Sequence, residues 1–194
     1  LGGKDPAYVR PDADLAHAIE NLADGAFFNS GQSCCAIERI YAHRDVYERF
    51  VEGLVEFARG YRLEDPTDGE TTLGPLVRPA AADFVRAQID DAVAAGAKAH
   101  LDPRAFGKDA AGSAYMAPQV LTGVDHTMRI MTEETFGPAV GVMPVRSDDE
   151  AVRVANNCSF ALGAGVLCND ATRAQRIGHR VRSGMLSIDD IEGA

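Results

Sequence analysis

Apolar residues recur three and four positions apart in several stretches of the chain and bunch or alternate in others. The switching between those periods predicts helices interleaved with strands. Leu15, Ala18, Ile19, Leu22 and Ala26 share one helical face, with Asp12 placed to cap the start and Asn29-Ser30-Gly31 to end it. Ile37 to Ala42 reads as a strand, followed by a helix capped by Asp45, striped by Val46, Phe50, Leu54 and Phe57, and stopped at Gly60. Asp65-Pro66, Asp68-Gly69 and Gly74-Pro75 mark Leu63 to Pro79 as a long, turn-rich loop. A third helix is expected over Ala80 to Ala95, turning Phe84, Val85, Ile89 and Val93 inward. Lys98 to Ser113 is a glycine-broken connection with room for a short edge strand. Tyr115 to Leu121 is extended, and Pro118 places it at an edge. Ala139 to Val145 is a buried strand, Asp148 to Asn156 a helix with Ala151, Val152 and Ala155 inward, and Gly163 to Cys168 a short strand. Asp170 caps the last helix, and Met185 to Ile188 is the last strand. The class this predicts is α/β, a largely parallel twisted sheet flanked by helices.

Composition narrows the function classes. Of 194 residues, 46% are hydrophobic and 25% charged, enough apolar side chain to bury a core. Nineteen basic residues against 29 acidic ones leave a net charge of −10, which would repel a phosphate backbone, so no nucleic-acid partner is expected. No apolar run approaches the ~20 residues that span a bilayer and no leader opens the chain, so the expectation is a cytoplasmic protein with no membrane partner. Of four cysteines, Cys34 and Cys35 are adjacent while Cys158 and Cys168 stand alone. The five histidines (His17, His43, His100, His126 and His179) are scattered, so neither a disulfide framework nor a metal site is expected. The chain opens on Leu1 and not Met, which is expected of a piece of something longer.

Two segments carry chemistry worth weighing. Phe27-Phe28-Asn29-Ser30-Gly31-Gln32-Ser33-Cys34-Cys35-Ala36 sets a cysteine just past a glycine turn, between a helix and a strand. Backbone N–H groups at such a junction favour a thiolate and could hold an oxyanion; alternatively the cysteines are small core residues. Met131-Thr132-Glu133-Glu134-Thr135-Phe136-Gly137-Pro138 runs two carboxylates into an aromatic residue and a turn ahead of a buried strand. It would suit ribose hydroxyls and a flat ring, or serve only as a solvated acidic turn. Leu1-Gly2-Gly3-Lys4-Asp5-Pro6 fails as a phosphate loop: the upstream glycine is missing and Asp5 stands where Ser or Thr should follow the lysine.

Together these segments resemble the catalytic domain of the NAD(P)-dependent aldehyde dehydrogenase superfamily. The cysteine signature is matched by Phe27, Gly31, Gln32, Cys34, Ala36 and Arg39. The Glu-Glu-x-Phe-Gly-Pro motif is matched by Glu133, Glu134, Phe136, Gly137 and Pro138, and the Glu-Leu-Gly-Gly-Lys motif from its second letter by Leu1 to Lys4. The resemblance covers essentially the whole chain and implies that residues 1–194 form the cysteine-bearing catalytic domain. It implies an enzyme that oxidises a small-molecule aldehyde to a carboxylic acid with NAD or NADP through a cysteine thiohemiacetal and thioester. Cys34 would be the nucleophile, its backbone N–H part of the oxyanion hole. Glu134, Phe136, Leu1 and Gly2 would contact the nicotinamide and its ribose, and Ser33 and Cys35 would line the aldehyde tunnel.

In the family the general base is the glutamate before Leu-Gly-Gly-Lys, the dinucleotide-binding domain lies upstream, and a bridging, oligomer-forming segment lies downstream. All three are expected to fall outside these residues. The isolated piece is therefore expected to be nearly inactive and to self-associate, and its parent to be a homo-oligomer, a dimer or tetramer. Phe160-Ala161-Leu162 and Asp189 depart from the family's common Tyr-Gly-Leu and Asn, and Asp189 is expected to add a charge near the site. Two rivals are an acylating enzyme that passes the acyl group to coenzyme A, and a non-catalytic scaffold that keeps the fold.

Overall fold

The computed structural model describes residues 2–190. Seven strands form one sheet: β1 (Asp5–Val9), β2 (Ile37–His43), β3 (Lys98–Ala99), β4 (Gln119–Thr122), β5 (Ala139–Val145), β6 (Gly165–Leu167) and β7 (Ser187–Ile188). Their spatial order is β3-β4-β5-β2-β1-β6-β7, with every neighbouring pair parallel except β3 against β4. Five helices make the connections: α1 (Leu15–Phe27), α2 (Tyr47–Arg59), α3 (Pro79–Ala94), α4 (Asp148–Ala155) and α5 (Ala171–Gly178).

The period-two alternation of the strands sorts the core into two layers. Ala7, Val9, Ile40, Ala42, Val140 and Val142 pack under α1 and α2, with Leu22, Phe27, Phe50 and Leu54 fully buried there. Tyr8, Tyr41, Ala139, Val145 and Val166 face the opposite way, toward α3, α4 and α5. Each of those large side chains contributes roughly 1.5–3 kcal/mol by leaving water.

The strand missing from the sequence reading is β1, which lies inside the sheet between β2 and β6. Asp5-Pro6 has the look of a turn, and proline cannot donate to a ladder. The chain absorbs it with a register shift between Asp5 and Pro6, so that Asp5 pairs with Ile37 but Pro6 with Arg39. β4 stands one place in from the edge, because β3 covers it, and Pro118 precedes the strand instead of interrupting it.

Two caps move as well. Asp14, not Asp12, accepts the Ala16 and His17 N–H groups at the start of α1, while Asp12 pairs with Arg10. Val46 occupies the cap position of α2 with no side-chain bond, and Asp45 turns toward His43 and Arg44. α3 is rotated from its expected face. Val85 is buried with Ala82, Gln88 and Ala92, whereas Phe84 and Val93 are exposed; likewise Phe57 of α2 is exposed.

At the carboxyl ends of the strands an ion-pair cluster forms. Asp148, in the first turn of α4, accepts from the Tyr8 hydroxyl at 2.9 Å, Arg10 Nε at 3.0 Å and Arg173 Nη2 at 3.1 Å. The residues marked out for chemistry gather at the other end.

Candidate active site

Cys34 is delivered by a turn that L-amino acids seldom adopt. α1 runs out at Phe27, and Asn29, Ser30 and Gly31 follow with φ of 49°, 57° and 70°, three left-handed residues in succession. Each non-glycine in that region costs about 1–2 kcal/mol, so the turn persists only because its surroundings hold it. The Ser30 hydroxyl donates to the Gly74 carbonyl at 2.7 Å, and the Asn29 amide to the Gln32 carbonyl at 3.1 Å. Gln32 grips in three places: its Nε2 donates to the carbonyls of Asn29 (3.0 Å) and Pro75 (3.3 Å), and its Oε1 accepts the Val77 N–H at 2.8 Å. Gly31 lies so close to the 137 backbone that a Cβ there would stand 2.3 Å from the Gly137 carbonyl oxygen.

Beyond this turn Cys34 is exposed at the amino end of β2, and its backbone N–H donates to no acceptor among the described residues. The thiol is thus accessible and a donor stands beside it, as a nucleophile with a partial oxyanion site requires. Its neighbours Ser33 and Cys35 touch each other, Oγ to Sγ at 3.1 Å. Cys35 is half-buried and lines a small cavity with Asp5, Gly163, Met185 and Ser187.

The other two segments enter at the amino ends of the flanking strands, Gly2–Lys4 leading into β1 and Glu134–Pro138 into β5. Gly3 abuts the Cys34 loop: a Cβ there would lie 1.9 Å from the Cys34 carbonyl oxygen. Its N–H donates to Glu134 Oε1 at 2.8 Å, so the carboxylate reaches across the mouth of β2. A Cβ on Gly2 would come within 2.8 and 2.9 Å of the two Glu134 oxygens. Phe136 holds φ 52° and is 41% exposed.

A buried polar network lies behind these groups. Lys4 Nζ donates to Glu38 Oε2 at 2.6 Å and to the Thr135 hydroxyl oxygen at 2.8 Å. Glu38 accepts the Thr135 N–H (2.9 Å to Oε2) and the Phe136 N–H (2.8 Å to Oε1). Gln88 of α3 accepts from the Thr135 hydroxyl at 2.8 Å and donates to the Glu134 carbonyl at 3.2 Å. Arg39 Nε donates to the Lys4 carbonyl at 2.8 Å. Burial holds the Lys4 ammonium below its ordinary pKa, with the charge and hydrogen bond of Glu38 pulling the other way. Burial likewise pushes the Asp5 carboxyl up to about 6, against bonds from the Gly163 and Lys4 backbone.

The fold therefore brings together Gly2, Ser33, Cys34, Cys35, Glu134 and Phe136. Leu1 lies outside the described residues. Asp189 does not join them: it follows β7 at the carboxyl end of the sheet, where its Oδ1 accepts the Cys168 N–H at 2.6 Å. The expectation of a charge near the site is corrected, because a parallel strand carries its last residue away from the end where Cys34 lies. Lys4 and Thr135 lie within the motif segments but were given no role from the sequence, and Glu38 and Gln88 were not picked out at all. Glu38 and Gln88 gave one signal, charge or polarity inside a strand and a helix, while Lys4 and Thr135 lie in the segments before β1 and β5.

The groups fit the nicotinamide–ribose half of a dinucleotide. Glu134 Oε2 accepts nothing among the described residues, Gly2 offers backbone without a side chain beside it, and Phe136 is an exposed aromatic residue. Among the described residues no three His, Cys, Asp or Glu side chains gather as metal ligands, and no helix is long and apolar enough to cross a membrane.

Comparison with known proteins shows what the chain is similar to. The succinate-semialdehyde dehydrogenase (NADP(+)) 1 of Mycobacterium ulcerans (strain Agy99) is 38% identical over 190 residues, which is 97% of this chain and 41% of that protein. Vanillin dehydrogenase of Pseudomonas fluorescens is 39% identical over 189 residues, 97% of this chain and 38% of that protein. The chain thus spans about two fifths of the length of these relatives. Among solved structures, betaine aldehyde dehydrogenase from Staphylococcus aureus in complex with NAD+ superposes with a TM-score of 0.91 at 29% identity, over 98% of this chain and 38% of that one. The NADP-dependent glyceraldehyde-3-phosphate dehydrogenase from Bacillus halodurans C-125 complexed with NADP gives 0.90 at 31% identity, over 98% and 38%. The sequence pattern of the aldehyde dehydrogenase family matches residues 1–193, and the chain belongs to that family.

Proposed function

We propose that this chain is the cysteine-bearing catalytic domain of an enzyme that oxidises an aldehyde to a carboxylic acid with NAD+ or NADP+. The observation that carries the reading is the meeting of three separate segments at the amino ends of β5, β2 and β1. There the exposed Cys34 leads into β2, the middle strand of the three, while Glu134 meets the Gly2–Gly3 backbone beside it.

Cys34 Sγ attacks the aldehyde carbonyl carbon as the thiolate. The new S–C bond makes a tetrahedral thiohemiacetal, whose oxyanion takes a hydrogen bond from the Cys34 N–H. When bound, the nicotinamide supplies a hydride acceptor. Glu134 would hold its ribose, Phe136 would pack near the ring, and Gly2 would let the backbone approach. Loss of hydride from the thiohemiacetal carbon restores the C=O bond as a thioester on Cys34. Water adds to that carbonyl, and the C–S bond breaks to give the acid and the free thiol. Ser33 and Cys35 flank the thiol where the aldehyde enters. The exposed Phe28 (68%) and Val77 (81%) beside the Cys34 turn support the expectation that further protein covers this end of the sheet. The rest of the cofactor site, and the base that activates thiol and water, would belong to that further protein.

The test is aldehyde-dependent NADH and NADPH formation by the full-length enzyme, with succinate semialdehyde, vanillin and betaine aldehyde in the panel. Cys34→Ser should lower turnover by about 10³-fold or more. Turnover that appears only with coenzyme A would reassign the enzyme to the acylating class. Equal rates in wild type and Cys34→Ser would end the nucleophile assignment.

A further inference from the structure

We propose that Glu38 is the positioning residue of the cofactor half of the site. Its carboxylate, clamped by Lys4, fixes the Glu134–Phe136 segment through the Thr135 and Phe136 N–H groups. This rests on the cofactor assignment above and adds to it a residue that touches neither cofactor nor substrate.

Phe136 is held at φ 52°, a conformation that a phenylalanine leaves unless something opposes it. What opposes it is one buried carboxylate, 2% exposed, accepting two successive backbone N–H groups at 2.9 and 2.8 Å. Bonds to an ionised acceptor in a dry setting are roughly twice as strong as neutral ones. The Lys4 ammonium stands 2.6 Å from that carboxylate and pairs with it in the buried interior. Lys4 also bonds the Thr135 hydroxyl, and Gln88 fixes the Glu134 carbonyl, so the whole segment is tied to this pair. Cys34 is held by a different set of contacts, namely Ser30, Gln32 and the Gly3 backbone. The halves touch where Gly31 meets Gly137 and where Gly3 meets Glu134, but the hydrogen bonds of Glu38 go to the Thr135–Phe136 backbone and none to the Cys34 turn, so a change at Glu38 should strike the cofactor half far more than the thiol.

The measurement uses the full-length enzyme carrying Glu38→Ala, Glu38→Gln, and Glu38→Gln combined with Lys4→Met. Dinucleotide affinity is read by titrating NADH and NADPH alone. Cys34 is followed through its iodoacetamide alkylation rate by peptide mass spectrometry, and folding through Tm. Glu38→Ala should weaken dinucleotide binding about tenfold or more with Cys34 alkylation within about twofold of wild type. Glu38→Gln keeps an oxygen for the two N–H groups but turns an amide NH2 toward the Lys4 ammonium. Its loss should be intermediate and should shrink when Lys4→Met removes the opposed donor. Should Glu38→Ala not fold, the two glutamine variants decide on the same readings. Unchanged dinucleotide affinity in folded Glu38 variants overturns the role of Glu38 alone. Parallel loss of dinucleotide binding and Cys34 alkylation overturns it too, by making Glu38 a general structural residue. A wild-type enzyme that binds neither dinucleotide overturns the cofactor assignment, and this inference with it.

Discussion

Gly3 is the position where one added methyl group should cost most. Its Cβ would stand 1.9 Å from the Cys34 carbonyl oxygen, 3.0 Å from the carbonyl carbon and 3.3 Å from Asp5 Oδ1. Ordinary contact begins near 3.4 Å, so backbone must separate from backbone by about 1.5 Å. Neither side is free to yield, because residue 3 leads into β1 and residue 34 into β2, and the two strands pair from Asp5 and Ile37 onward. Overpacking of this kind costs about 1–3 kcal/mol, which for a chain of this size is a Tm loss of roughly 2–12 °C. Cys34 moves as well, and if it is the nucleophile proposed above, a displacement of about 1 Å can remove two orders of magnitude in rate. Gly2→Ala is the control, since the three atoms nearest its Cβ all belong to the carboxylate tip of Glu134, which can swing aside. Scanning fluorimetry and the Cys34 alkylation rate should both change in Gly3→Ala and hold in Gly2→Ala. A Gly3→Ala protein with wild-type Tm and wild-type alkylation would refute the close approach on which the reasoning depends.

Two further outcomes follow from the same geometry. Asp5 titrates at about 6 when folded against 3.8 in the unfolded chain, so the folded state holds the extra proton between those values. Its contribution to stability is therefore present at low pH and is lost as pH rises through that window, by up to ~3 kcal/mol; Asp5→Asn should match wild type near pH 4 and exceed it above pH 6, and parallel melting curves across pH would sink the assignment. Gln32→Ala removes two hydrogen bonds that join the Cys34 turn to the Pro75–Val77 loop and a third, to the Asn29 carbonyl, within the turn. Hydrogen exchange at the Val77 amide should quicken by about tenfold or more, and unchanged protection would show that the loop is held by something else.

What could be read from the sequence was local. The β5 boundaries, the Asp170 cap and the stop at Gly60 depend on residues a few positions apart, and they stand where expected. The Cys34 and Glu134 motifs were legible because each is a compact string of unusual residue types. The failures share a physical cause. Asp5-Pro6 has the preferences of a turn, and only the pairing of β1 with β2 and β6 makes it a strand. Phe84 and Val93 fit the helical period as well as Ala82 and Ala92 do. Which face turns inward was decided by the sheet beneath α3, not by the helix. The Lys4–Glu38–Thr135 network joins groups 34 and 97 residues apart, and nothing in the local chemistry of any one of them announces the others. The left-handed run from Asn29 to Gly31 was half visible: Asn and Gly suit it, but Ser30 does not, and its support comes from Gly74 on another loop.

The site is built across three neighbouring strands at one end, and this gives it a ruler. Adjacent strands lie about 4.8 Å apart, so the entries to β5, β2 and β1 are spaced by the hydrogen-bond pitch of the sheet, whatever the loops do. A catalytic centre carried on such a comb cannot be widened gradually. Its groups stay in step, or a strand slips by a whole register and every side chain changes face. Lengthening the chain should be tolerated at the opposite edge, around residues 12–13 and 44–46, where strands hand over to helices. The same insertion between Cys34 and Ile37, or between Phe136 and Ala139, would take a tooth out of the comb. Variation in substrate choice among proteins of this design must then come from what is laid over the comb, because its pitch is fixed by peptide geometry.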